Sequence, residues 1–180
     1  MRYINMVEVS GQDIFEEAGH VRQFKAGQMI AEQGAVAERL FYIQKGQVRA
    51  FLLNPDGKEI TLFYIDEGNM CCTESLVSHP HYIVNIAAVV DVTAYSIEPP
   101  VFLREWANHG YSVENLLTHF VRRILLLSDY LCCMRFQKSI SRVAYLLHTT
   151  YTDSHSPISF THDEIAGLTS ISSITVKRYR

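Results

Sequence analysis

Between Val21 and Ile97 the apolar residues fall in short runs, and glycines separate the runs at regular intervals. Gly27, Gly34, Gly46, Gly57 and Gly68 recur at spacings of 7, 12, 11 and 11 residues, the punctuation expected of a sandwich or barrel. The runs between and after them are rich in β-branched and aromatic residues: Leu40-Phe41-Tyr42-Ile43, Val48 to Leu53, Ile60 to Ile65, and Ile83 to Tyr95. Asn54-Pro55-Asp56-Gly57 is a turn with a physical cause, since proline presets its own φ and glycine accepts a positive one. Strands at this spacing without intervening helices predict an antiparallel double sheet of the jelly-roll kind.

After Pro99-Pro100 the period changes. Proline suits the first turn of a helix, and Val101 to Asn108 reads as a short one. A longer helix is predicted from Ser112 to Phe136, with apolar positions Leu116, Phe120, Ile124, Leu127, Leu131 and Met134 stepping by 4, 4, 3, 4 and 3. Such a seam needs a partner, and a second copy of the chain is favoured over packing within one domain because Leu117, Leu125 and Leu126 widen the apolar face. A third helix (Ser139 to Thr150), a polar loop (Thr152 to Pro157) and a short strand at Ile158-Ser159-Phe160 follow. Thr161-His162-Asp163-Glu164 is a capping box ahead of Ile165, Ala166 and Leu168, and Ser172 caps a second short helix. Two short helices with small Ala166 at their approach and Ile171 and Val176 between them predict a helix-turn-helix. A plain helical hairpin is the competing reading of this segment alone. In a helix-turn-helix, Ser172, Ser173 and Thr175 are placed to bond base edges or phosphates, Ile174 to touch a thymine methyl, and Lys177 and Arg178 to hold phosphates or a guanine.

Composition narrows the class. The chain has 180 residues, 48% of them hydrophobic, enough for one sizeable core and a small second one. No apolar run reaches the ~18 residues that cross a bilayer, and Met1 to Gly11 lacks a signal-peptide pattern, so a cytoplasmic protein is expected. The four cysteines form two adjacent pairs, Cys71-Cys72 and Cys132-Cys133, which suit neither a disulfide framework nor a metal clip. His79-Pro80-His81 has no third ligand at a fixed spacing, so no metal site is expected. Residues 1–134 carry a net −6 and residues 135–180 a net +3, the asymmetry of a sensor joined to a phosphate-binding module. No nucleophile–base spacing, phosphate loop or paired-carboxylate pattern supports an enzyme.

The order of these features resembles the Crp/Fnr family of bacterial transcription regulators. The resemblance runs from near Val21 to the chain end and rests on Gly27, Gly34 and Gly46, on Asn54-Pro55-Asp56-Gly57-Lys58-Glu59 and on the Arg122-Arg123 pair. It continues in Arg142-Val143-Ala144, Thr161 with Glu164-Ile165-Ala166, and Thr175-Val176 with Arg178. It implies an α+β protein: an antiparallel β jelly roll (a double-stranded β-helix of the cyclic-nucleotide-binding type) over 1–111, a dimerisation helix over 112–136, and a helix-turn-helix domain over 137–180. It implies a homodimer, a small-molecule effector, promoter DNA and RNA polymerase as partners.

The chain also departs from the family pattern. Tyr82 and Ile83 stand where cyclic AMP binders carry the Arg-Ser pair that holds the phosphate, and Leu127-Ser128 meets the base position without a polar group at Leu127, so cyclic AMP is not the expected effector. An N-terminal iron–sulfur cysteine cluster is lacking, and a thiolate haem on Cys72 is disfavoured because Glu74 takes the matching histidine position. A hydrophobic or aromatic ligand lined by Tyr64, Tyr82 and Leu127 is the remaining expectation, with simple core packing as the plain alternative. Ser173 and Ile174 replace the family's Arg-Glu base readers, which shifts the expected site toward A·T pairs. The family's wing lies beyond Arg180, so the DNA-binding unit is expected to be incomplete, its last helix frayed, and DNA binding weak. The alternative function is a ligand-binding or dimerisation module without DNA activity.

Overall fold

The computed structural model describes residues 11–77, 81–136, 138–154 and 160–179, and among these the side chains of 126 and 149–154 are left aside. The chain begins with helix α1 (Gln12–Ala18) and continues as strands β1 (His20–Phe24), β2 (Met29–Ala31), β3 (Leu40–Lys45), β4 (Gln47–Leu53), β5 (Glu59–Asp66) and β6 (Asn69–Cys71). A 3-10 turn (Thr73–Leu76) then leads to β7 (Asn85–Ala88) and β8 (Val92–Ile97). Helices α2 (Pro99–Asn108), α3 (Val113–Arg135), α4 (Ser139–Ser154), α5 (His162–Thr169) and α6 (Ser173–Lys177) complete it. Two four-stranded sheets, ordered β1-β8-β3-β6 and β2-β7-β4-β5, face each other with every pairing antiparallel. This is the predicted jelly roll.

The spaced glycines explain the tight corners, because all five take positive φ. At Gly46 the requirement is absolute in practice: a Cβ would stand 2.6 Å from the Asp91 carbonyl oxygen. The run Leu40 to Ile43 lacks alternation because both faces of β3 are covered. Phe41 and Ile43 enter the core between the sheets, while Leu40 and Tyr42 enter a second core under α1 and α2. That second core packs Phe15, Phe102 and Trp106 as tilted ring pairs, with centroids 5.2 and 5.3 Å apart.

The run from Ile83 to Tyr95, read in the sequence as one element, is two strands in different sheets. Asp91 fastens the connection between them, accepting from Lys25 Nζ at 2.8 Å and from the Ala26 N–H at 3.0 Å. Helix α4 continues to Ser154, through the start of the segment read as a loop. Of the strand expected at 158–160, positions 158 and 159 lie outside the described residues, and Phe160 is not a strand residue but packs on the C-terminal cluster. Ser112 caps α3 by accepting from the Asn115 N–H, and α3 ends where Phe136 turns to extended backbone.

Candidate functional site

A cavity of about 240 Å³ opens where β5, the 3-10 turn, the segment before β7 and the middle of α3 converge. Phe63, Ile65, Val84, Ile86 and Phe120 make its wall apolar. Val77 and Ile83, each more than half exposed, and the less exposed Leu127 form its rim. One cation enters this apolar space. Arg123 donates from Nη2 to the Met70 carbonyl at 2.6 Å and lies over the Phe63 ring, 4.7 Å from its centroid. Its Nε is buried with no hydrogen-bond partner. Burial pushes the Arg123 pKa down, opposed by charge on Cys71 and Glu74. Glu74 also lines the cavity, held aside by the Ile83 N–H at 3.3 Å.

Of the six residues assigned to an effector pocket from the sequence, the structure gathers Cys72, Glu74 and Leu127 around this cavity and not Tyr64, Tyr82 or Ser128. The Tyr82 hydroxyl instead ties down the chain before β3, donating to the Arg39 carbonyl at 3.0 Å and accepting from its N–H at 3.1 Å. Ser128 donates to the Ile124 carbonyl and faces solvent. Tyr64 points through the opposite face of β5. A bulge between Ala50 and Phe51 leaves Leu62 as an extra residue, so Phe63 and Ile65 face the cavity while Thr61 and Tyr64 face away. Arg123, noted in the sequence only within an arginine pair, is the residue the pattern reading missed. A helical arginine is ordinarily solvated, and only the packing of α3 on β5 reveals it.

Cys72 is buried, and burial pushes its thiol pKa well up, which disfavours the thiolate a haem would need. A porphyrin is also larger than the cavity, so these residues do not fit haem. Among the described residues no cluster of three His, Cys, Asp or Glu side chains is placed to hold a metal; His79 lies outside them.

Helix α3 divides its apolar residues between two surfaces. Leu116 packs on the core beneath α1 and α2, and Phe120 lines the cavity, so the first half of the expected seam is turned inward. Ile124 (62% exposed) and Leu131 (65%) stay outside, joined by Leu117 (57%) and Val121 (52%). Leu127 sits at both surfaces, on the cavity rim and 37% exposed, and Met134 is half-buried. The outward stripe therefore runs Leu117, Val121, Ile124, Leu131, one residue out of register with the expected one at its start. A wide apolar face permits either choice from sequence alone.

Helices α5 and α6 form the helix-turn-helix. Thr161 and Glu164 make the full capping box: the Thr161 N–H donates to Glu164 Oε2 at 2.6 Å, and the Glu164 N–H donates to Thr161 Oγ1 at 3.2 Å. Ser170, in the left-handed region, ends α5, and Ser172 caps α6. Val176 and Ala166 are buried with Val143, Leu146, Ile165 and Leu168. Ile174 (68% exposed), Lys177 and Arg178 point outward, and Lys177 and Arg178 have no side-chain partner among the described residues. Ser173 is engaged differently from its expected role, donating to Asp163 Oδ1, and Thr175 shares a hydrogen bond with Ser172.

This unit sits on the sheet that contains β5. Tyr64 of β5 and Tyr130 of α3 pack against its core, and Gly167 of α5 lies over Thr61, where an added Cβ would meet Oγ1 at 3.6 Å. Arg142 joins the pieces, donating from Nε to the Phe136 carbonyl at 2.9 Å and from Nη1 to the Thr169 carbonyl at 3.4 Å.

Residues 21–109 match the family model described as a cyclic nucleotide-binding domain. The chain is similar to the protein named Cyclic AMP receptor protein of Thermus thermophilus, with 26% identity over 87% of this chain and 73% of that one. Among solved structures, a CooA variant from Carboxydothermus hydrogenoformans has a TM-score of 0.81 at 17% identity, covering 97% of this chain and 83% of that chain. The c-di-GMP responsive global regulator CLP of Xanthomonas campestris has a TM-score of 0.78 at 16% identity, covering 92% and 86%.

Proposed function

We propose that the chain is a transcription regulator of the Crp/Fnr type and works as a cytoplasmic, homodimeric, ligand-responsive DNA-binding regulator whose effector is not cyclic AMP. The observation that carries this reading is the double use of β5. One face lines the cavity through Phe63 and Ile65, and the other seats the helix-turn-helix through Thr61 and Tyr64. A ligand that binds better to one position of β5 and α3 than to another shifts the seat of α5 by that difference in affinity. The exposed stripe of α3 meets the same stripe of a second copy, which brings the partner's helix across the cavity rim at Leu127.

Electrostatics disfavour cyclic AMP. The family's phosphate position is taken by Tyr82, whose hydroxyl is committed to Arg39, and by apolar Ile83. Neither can compensate a desolvated phosphate. In DNA recognition Lys177 and Arg178 hold phosphates and Ile174 presents an apolar surface to a thymine methyl.

Two measurements test this reading. Sedimentation should give a dimer, and Ile124→Glu should give a monomer. A gel shift on promoter fragments should weaken steeply between ~50 and ~200 mM salt, as phosphate contacts require. A dimer with no salt-dependent shift at any fragment returns the function to a ligand-binding module without DNA activity.

A further inference from the structure

We propose that the cavity binds a small amphiphilic carboxylate, its acid group on Arg123 and its apolar body against Phe63, Val84 and Phe120 toward the rim at Leu127. The inference rests on reading this cavity as the effector site and names the chemistry of what fills it.

The cavity wall is mostly apolar, with Thr73 and Glu74 among its lining, and a guanidinium is sunk in it with its Nε–H unanswered. A buried donor without a partner is costly, more so when it carries charge. Among the described residues Arg123 has no ion-pair partner. Glu74 is the carboxylate nearest in function, but its Oε1 accepts from the Ile83 N–H. It balances part of the charge and leaves the Nε edge open. A planar carboxylate suits the guanidinium fork geometrically and supplies the missing acceptor. A phosphate dianion does not suit it: one cation beside a carboxylate cannot compensate two charges in an apolar space.

Size and polarity fix the rest of the ligand. At about 240 Å³ the space lies just below the range of ~300–1,000 Å³ common for drug-sized ligands, which points to a body the size of one ring or a short alkyl chain. Val77 and Ile83, more than half exposed at the rim, extend the apolar surface outward from the acid end. Leu127 lies at that rim and borders the exposed stripe of α3, so an apolar tail reaching it touches the element proposed to carry the dimer.

The test is calorimetric titration of the full chain with phenylacetate, hexanoate and indole-3-acetate, each beside its neutral amide. At least one acid should bind at least tenfold more tightly than its amide, and Arg123→Met should abolish that preference while leaving amide binding in place. Equal binding of acid and amide, or no binding by any acid, overturns the inference; the wild-type comparison decides it even if Arg123→Met fails to fold. A gel shift with and without the bound acid separates the two claims. Acid-selective binding without any DNA complex leaves the ligand class standing and removes the regulator. A salt-sensitive DNA complex with no acid preference does the reverse.

Discussion

The jelly roll and the helix-turn-helix are built on very different amounts of buried surface. Among the described residues the jelly roll has two cores, one between its sheets and one under α1 and α2, with Phe15, Phe102, Ile43 and Val48 at 0% exposure. Among the described residues the C-terminal unit has one core of six buried hydrophobic residues, and Tyr64 from β5 and Tyr130 from α3 pack against it. Helix α6 is held to that core through Val176. The difference teaches where a ligand's small free energy can act. The sensor's cores resist deformation, while the helix-turn-helix borrows stability from a sheet whose other face is the cavity wall. Regions that move in a switch are drawn from the less stable end of a structure.

The hardest test of this contrast is Phe102→Ala. The side chain is fully buried between Phe15 and Trp106, and its loss should cost about 3–5 kcal/mol. Urea unfolding should show the sensor losing this stability as a whole. If the cost stays below 1 kcal/mol, the core under α1 and α2 is not the rigid base the comparison requires.

His119 gives a second test, on the helix between the two regions. It is 3% exposed, its Nε2 has no partner, and burial with Arg123 and Arg122 nearby lowers its pKa from 6.5 to about 3. The folded state thus keeps His119 neutral while the unfolded chain takes up a proton below pH 6.5. Its contribution to stability is present above pH 6.5 and is lost as the pH falls toward 3. Between neutral pH and pH 5 the loss should be about 2 kcal/mol. His119→Leu should flatten the acid side of the stability profile; an unchanged slope would show that other groups carry it.

How much of this was readable follows from local causes. The strands were legible because turn glycines and Asn54-Pro55-Asp56-Gly57 act through their own dihedrals. The helix-turn-helix was legible because Thr161 and Glu164 bond across three residues. Three further features depend on distant packing and were not. The bulge at Leu62 decides that Phe63, not Tyr64, faces the cavity. The seat of α3 decides that Leu116 and Phe120 turn inward while Leu117 and Val121 stay out. The same seat draws Arg123 beneath the rim, where no periodicity marks it. Helix α1 went unread because its seven residues carry only Ile14, Phe15 and the small Ala18 as apolar anchors to a core made elsewhere.

Thr161→Ala sharpens the comparison from the weaker side. Removing the hydroxyl leaves the Glu164 N–H without its partner and should cost about 1 kcal/mol, within the usual range for a lost N-cap. Hydrogen exchange should show the loss in α5 and α6 and leave the sensor strands protected. Faster exchange spread evenly over β3 and β4 would mean that the two regions unfold as one unit, and the contrast would fail.

Gly167→Ala should have the smallest effect and the opposite sign. Glycine inside a helix is roughly 1 kcal/mol less favourable than alanine, so the substitution should stabilise α5 by up to that amount. The added methyl would stand 3.6 Å from Thr61 Oγ1, an ordinary contact, so the seat on β5 survives while the helix stiffens. A bulkier Gly167→Leu cannot share that space and must lift α5 from Thr61. If α5 is seated on β5 as the mechanism needs, alanine leaves the ligand response of DNA binding intact and leucine uncouples it. Should both substitutions leave that response unchanged, the contact between Gly167 and Thr61 is not the path by which the cavity reaches α6.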